Sequence, residues 1–206
     1  MGQAVMLLAV LLPSVVLHEV SHGAVALVFG DDTAKRAGRL TLNPIAHVDL
    51  FGTVILPALL AFTGVGIFGY AKPVPVNPAR MRRPRDHGLL TSLAGPATNI
   101  LLALVAALGL RRLAASADSL ALDSLTARAL VAFGVVNVVL AAFNLIPVPP
   151  LDGSAVVERL LPQRWLPAWS QLRQYSMGLL LLLVFVLPGV LSRIFATAQE
   201  WWMALL

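Results

Sequence analysis

The sequence predicts an all-α polytopic membrane protein, with about four transmembrane helices, one re-entrant segment and a short β-hairpin, in a single domain over residues 1–206. Three observations carry this. Apolar residues make up 58% of the chain and charged residues only 12%, about half the charge of an ordinary soluble domain. Several apolar runs reach the roughly 20 residues that a helix needs to cross a bilayer. The first run contains His18-Glu19-Val20-Ser21-His22, which on a helix turns two histidines to one face. The net charge of +5 does not call for nucleic acid, because membrane proteins gather Lys and Arg in cytoplasmic loops and no aromatic-interleaved basic surface is present. The chain has no cysteine, so disulfide and thiolate chemistry are excluded and any metal must be held by His and carboxylate.

Residues 4–29 read as the first span. Ala24-Val25-Ala26 resembles a signal-peptide cleavage site, but no positive flank precedes the run and it is too long for a typical signal, so a retained helix is expected. Pro13 should loosen the backbone one turn before the histidines, and Gly30 with Asp31-Asp32 should end the helix. In the polar connection 30–49, Arg39-Leu40-Thr41-Leu42 alternates and predicts a short strand, stopped by Asn43-Pro44. That strand would either pair with an unfolded substrate backbone or form an ordinary hairpin over the membrane face.

Residues 50–68 are long enough to span but contain Pro57, Gly64 and Gly66. The proline-rich loop 70–87 carries Lys72, Arg80, Arg82, Arg83 and Arg85, a cytoplasmic topology signal, and His87 reads as a solvated loop residue. Residues 89–110 are the next span, with Gly95-Pro96-Ala97-Thr98-Asn99 near its start. Small residues there permit close helix approach. Asn99, at membrane depth, needs a partner on another helix or in a site. The span 129–146 has Asn137 and Asn144 as polar members and breaks at Pro147-Val148-Pro149-Pro150-Leu151-Asp152-Gly153, whose prolines hold Asp152 on an extended backbone. Beyond this core of residues 4–153, residues 154–171 predict a short interfacial helix anchored by Trp165 and Trp169. Residues 175–190 predict the last span, and residues 191–206, with Trp201 and Trp202, an interfacial tail.

The chemistry constrains the topology. On a helix His18 and His22 can grip one metal ion, with Glu19 beside them to take a proton from a water that the metal activates. If residues 50–68 crossed the bilayer, Asp152 would emerge on the side opposite the histidines, and the Lys and Arg residues would divide 8 to 7 between the two sides. If that segment dips in and returns, Asp152 emerges beside the histidines, and 11 basic residues share their side against 4 on the other. The positive-inside rule prefers the second arrangement and makes the histidine side the cytoplasm.

Taken together, His18-Glu19-Val20-Ser21-His22, Gly95-Pro96-Ala97-Thr98-Asn99 and the run from Asn144 through Pro147-Val148-Pro149-Pro150 to Asp152-Gly153 resemble the site-2 protease family of intramembrane zinc metalloproteases, in the family order. Asn43-Pro44-Ile45-Ala46-His47-Val48-Asp49 resembles its compact bacterial and archaeal branch. The family's extra N-terminal span and its PDZ or CBS regulatory domains are not evident in these residues. The resemblance implies a site-2 protease-like core in which His18, His22 and Asp152 bind one Zn2+ and Glu19 is the catalytic base. It also implies that Asn144 contacts the substrate backbone or oxyanion, with Asn99 and His47 as further candidates for support. His47 reads equally as an extra metal ligand, a substrate-gating residue or an interfacial histidine. Two His and one carboxylate leave a tetrahedral position for water, as a catalytic zinc requires.

The expected partners are a transmembrane or membrane-associated protein substrate, the lipid bilayer of a prokaryotic cell membrane and a regulatory membrane partner. Nucleic acid is not among them. The rival reading is a zinc transporter or a metal-binding membrane protein without proteolytic activity. A transporter needs ligands along a path open to both sides, whereas the candidate ligands here cluster near one face.

Overall fold

The computed structural model describes residues 2–49, 72–116 and 124–206. Helices dominate. In chain order they are α1 (Gly2–Val28), the one-turn α2 (Thr33–Arg36), α3 (Pro84–Ser116), α4 (Leu125–Asn144), α5 (Ser154–Leu160), α6 (Leu166–Arg173), α7 (Ser176–Val186) and α8 (Pro188–Met203). Three of them are long and apolar enough to cross a membrane, over Val5–Val28, Pro84–Ala115 and Leu125–Asn144, and the bent pair α7 and α8 makes a fourth if counted as one span.

α1, α3 and α4 pack side by side. Their contact is lined by small residues, Ala103, Ala106 and Ala107 of α3 against Ala127 and Val138 of α4, which let two backbones approach closely in lipid. α4 starts where Ser124 Oγ accepts the Ala127 N–H at 3.1 Å, an N-cap that satisfies one free donor.

α1 ends as its glycine dictates. Gly30 takes φ +104°, and the Asp31 N–H turns back onto the Ala26 carbonyl at 2.9 Å. The chain after it is tied to the segment leading into α3. Asp31 accepts the Asn77 N–H, Arg80 pairs with Asp32 at 2.6 Å, and the Arg82 N–H donates to the Phe29 carbonyl at 3.3 Å. α3 therefore begins at the end of the bundle where α1 finishes, and α4 brings the chain back to that end. Residues 50–68, expected to dip and return, lie outside the described residues. Their described flanks meet, the Lys72 N–H donating to the His47 carbonyl at 2.9 Å.

Several expectations are corrected. The strand over residues 39–42 does not form, and no strand occurs among the described residues. The neighbouring segment cannot supply a ladder: Pro73 and Pro75 have no N–H, the Val74 N–H goes to Glu19, and the Arg39 side chain takes the Lys72 and Pro73 carbonyls. The last span is not a helix over residues 175–190, since the chain breaks ahead of Pro188 and α8 leaves at 81° to α7. In the helical tail 191–206, Trp201 is 57% exposed but Trp202 is not free to anchor at an interface. Trp202 of α8 is 0% exposed, and its Nε1 donates to the Ala103 carbonyl of α3 at 2.8 Å. The indole occupies a notch at Gly134 of α4, where any Cβ would collide with it. Finally, His87 lies inside α3, its ring stacked on Phe29 at 4.0 Å and its Nδ1 accepting the Arg83 N–H.

The expected interfacial helix after Gly153 is two pieces, α5 and α6, separated at Pro162. Arg85 of α3 donates to the Arg159 and Leu161 carbonyls at 2.9 and 2.7 Å, closing the free C-terminal end of α5.

Candidate metal centre

The three candidate ligands arrive from different elements. His18 and His22 stand one turn apart on α1, both buried. Asp152 comes from the loop that follows α4. That loop is pinned at its base, where the Gly153 N–H donates to the Asn144 carbonyl at 2.7 Å. Residue 153 has to be glycine, because a Cβ would run into the Leu145 and Ile146 carbonyls. Ile146 and Leu151 anchor the loop in a second apolar cluster with Leu180, Leu183 and Leu191.

At the point of convergence, His18 Nε2 lies 3.1 Å from His22 Nε2 and 3.2 Å from Asp152 Oδ2, and His22 Nε2 lies 3.4 Å from the same oxygen. Among the described residues this is the group of His, Asp and Glu side chains that could hold a metal ion.

The proton positions follow from the surrounding hydrogen bonds. Asn137 Nδ2 donates to the Phe133 carbonyl at 2.8 Å and to Ser14 Oγ at 2.9 Å, while Ser14 Oγ donates to the Val10 carbonyl. A backbone carbonyl only accepts, so the Asn137 amide has one orientation and its Oδ1 faces Asn99. Asn99 Nδ2 then donates to it at 2.8 Å, which turns Asn99 Oδ1 toward His18 Nδ1 at 2.5 Å. His18 must therefore donate from Nδ1. His22 Nδ1 does the same to the Thr91 carbonyl at 2.7 Å. Both Nε2 atoms are left as lone pairs.

Asp152 Oδ2 is buried without a hydrogen-bond partner. A carboxylate is ionised at neutral pH and only accepts. Three acceptors thus face one another with no proton between them. Ligand atoms bonded at about 2.0–2.1 Å to a tetrahedral zinc sit about 3.3 Å apart, and the three measured separations fit that edge.

Gly95 of α3 completes the wall. A Cβ there would lie 2.5 Å from His18 Nε2 and 2.5 Å from His22 Nε2. Glu19, half-buried beside the ligands, accepts the Val74 N–H on Oε2 at 2.9 Å. A cavity of about 310 Å³ reaches Asp152 from the polar end, bounded by Gly88, Ser92, Pro150, Arg85 and Arg159 among others.

The remaining candidates fall elsewhere. Asn99 is bound to His18 rather than open to a substrate. Asn144, half-buried at the end of α4, donates from Nδ2 to the Leu140 carbonyl at 3.0 Å. His47 is not in the ligand group: its Nε2 donates to the Thr41 carbonyl at 2.9 Å, and its Nδ1 is buried without a partner. The sequence reading missed Ser14, the Thr91 carbonyl and Val74, and treated Asn137 only as a polar member of its span. A polar residue at membrane depth was the available signal for Asn137 and Ser14.

Comparison with known proteins adds an independent line. Residues 112–185 match the model of Peptidase family M50. The chain is 40% identical over 193 residues to "Putative zinc metalloprotease YwhC" of Bacillus subtilis, with 88% of this chain and 80% of that relative covered. It is 31% identical over 201 residues to "Putative zinc metalloprotease Rip2" of Mycolicibacterium smegmatis, covering 97% of this chain and 73% of the relative. The Rip2 protein of Mycobacterium tuberculosis is 34% identical over 188 residues, covering 91% and 69%. No solved structure matches the chain.

Proposed function

The chain belongs to peptidase family M50, the site-2 proteases, and from that premise we infer an intramembrane zinc metalloprotease in which His18, His22 and Asp152 hold one zinc ion per chain and Glu19 is the general base. The observation that carries the reading is the convergence of two imidazole lone pairs and an unpartnered carboxylate oxygen within 3.4 Å of one another. When bound, zinc polarises the scissile carbonyl and makes water a nucleophile at neutral pH. Glu19 takes the proton of the attacking water and delivers it to the departing amine as the C–N bond breaks. Asn99 holds the His18 ring in its ligating tautomer. Asn144, at the foot of the Asp152 loop, supports the substrate backbone or the oxyanion.

The substrate is a membrane-spanning or membrane-associated protein segment. A helix hides its carbonyls in its own hydrogen bonds, so the segment unwinds locally before hydrolysis. Water reaches Asp152 through the cavity at the polar end. That end is the cytoplasmic one in a prokaryotic membrane, which the count of 11 basic residues on this side supports. A regulatory membrane partner delivers or withholds substrate. The transporter alternative is disfavoured because the metal-capable group found among the described residues sits at one end of the bundle.

The test is Glu19→Gln in a cleavage assay with zinc content measured on the same sample. Cleavage should fall at least about 100-fold, the scale of general-base catalysis, with zinc retained. Unchanged cleavage removes Glu19 as the base.

A further inference from the structure

Glu19 is oriented from outside its own helix. Its Oε2 accepts the Val74 N–H at 2.9 Å. Val74 stands between Pro73 and Pro75, neither of which has an N–H, so Val74 is the sole backbone donor of that tripeptide. The N–H belongs to the same peptide unit as the Pro73 carbonyl. On that carbonyl, at 3.3 Å, and on the Lys72 carbonyl, at 2.9 Å, sits Nη2 of Arg39. Arg39 is only 9% exposed, and its guanidinium donates to these two carbonyls. A cation on the carbonyl polarises the amide and strengthens the N–H as a donor. Arg39 and Glu19 are therefore the two ends of one charge-assisted chain that runs through a single peptide bond.

The surroundings keep that peptide in position. His47 accepts the Lys72 N–H on its carbonyl at 2.9 Å, and its ring is tied to the Thr41 carbonyl. Gly23 lies one turn after Glu19 on α1, and a Cβ there would come within 3.0 Å of Val74 Cγ1 and 2.6 Å of Leu40 Cδ2. The absence of a side chain at that position lets the tripeptide lie against the helix.

We propose that Arg39 is a positioning residue for proteolysis: through the Pro73–Val74 peptide it holds and polarises the N–H that orients the Glu19 carboxylate, and His47 serves the same arrangement rather than the metal. This rests on Glu19 being the base. It assigns no contact with substrate to either residue.

The experiment uses the full chain in detergent with Arg39→Gln, Arg39→Lys, Val74→Pro and Val74→Ala, measuring kcat, KM, zinc content and thermal midpoint. Val74→Pro removes the N–H, whereas Val74→Ala keeps it. Misorienting a catalytic group costs about 10- to 100-fold in rate, so Arg39→Gln should lower kcat by that factor with KM within about twofold and zinc retained, and Arg39→Lys should recover part of the loss. Val74→Pro should fall at least about tenfold below Val74→Ala. Hydrogen exchange supplies a readout independent of activity. Within residues 73–75 the Val74 amide is the one exchangeable backbone site, and its exchange should accelerate in Arg39→Gln.

Equal kcat for Val74→Pro and Val74→Ala overturns the proposal, as does loss of zinc in step with kcat in a folded Arg39→Gln. If Arg39→Gln does not fold, the Val74 pair decides. Glu19→Gln separates the two ideas. If it leaves cleavage intact, the base reading fails. If it abolishes cleavage while Arg39→Gln and Val74→Pro keep wild-type kcat, only the present inference fails.

Discussion

The Phe133 carbonyl decides where the His18 proton sits, although three hydrogen bonds separate them. A polar chain of this kind works only because every member has one orientation, and it leaves the ligating nitrogens free. Gly95 does the complementary work by leaving room for those nitrogens. Gly95→Ala should therefore push both rings off their common point. We expect zinc affinity to fall by about tenfold or more, the scale of disturbing the groups that orient metal ligands, in competition with a chelator, with helix content by circular dichroism unchanged. Wild-type affinity would mean that the rings have slack. His18, Glu19, His22 and the 95–99 motif were legible because their spacing is local, four residues on one helix face. Asn137 and Ser14 were not, because which polar residues meet depends on the register of three helices, which no single segment encodes.

At the scale of elements, the connection after α1 does more than link two helices. Asp31, 0% exposed, accepts from the Thr33 backbone and hydroxyl and from the Asn77 N–H. Burial alone would raise its carboxyl, but these donors, together with the Arg80 charge, more than offset that and hold it below the usual range. A lowered folded value means that the carboxylate stabilises the fold fully above the ordinary carboxylate value of about 3.9 and loses that contribution as pH drops through the lower folded value. Asp31→Asn should cost about 1–3 kcal/mol at neutral pH and flatten the acid limb of stability, read from thermal midpoints between about pH 3 and 7. An unchanged acid limb would assign that limb to other carboxylates. The same region shows where alternation misleads. The Arg-Leu-Thr-Leu pattern at residues 39–42 fits a strand, but its alternate positions answer to different neighbours: Leu40 packs near Gly23, and Arg39 holds the backbone carbonyls of residues 72 and 73. The break at Pro188 was visible in the sequence, and apolar length was given more weight than the proline.

For the whole molecule, α1 and α4 finish and α3 begins at one end of the bundle. The flanks of residues 50–71 meet at one end of the bundle, and Asp152 returns to that end. The chain has no cysteine, so single-cysteine variants report cleanly. Arg82→Cys should react with a membrane-impermeant maleimide only from the cytoplasmic side, and Arg128→Cys only from outside. Labelling of both from one side would break the topology and the proposed orientation together. What composition could not supply was the role of the C-terminal helix, because a tryptophan near a chain end reads as an interfacial anchor until its cavity at Gly134 is seen.

Three acceptors held face to face have an energetic consequence for the polypeptide itself. Without a cation, the cluster is a set of polar groups that a proton can bridge, and it ties α1 only weakly to the loop beyond α4. A bound divalent ion turns it into a cross-link between α1 and the loop beyond α4, two segments separated by 130 residues of chain. Ligand linkage sets the scale, about 4 kcal/mol for metal at a thousand times its dissociation constant. Chelation should accordingly lower the melting temperature and speed proteolytic nicking near Asp152, even in the Glu19→Gln protein that cuts nothing. An unmoved melting temperature would mean that the bundle holds together without the metal.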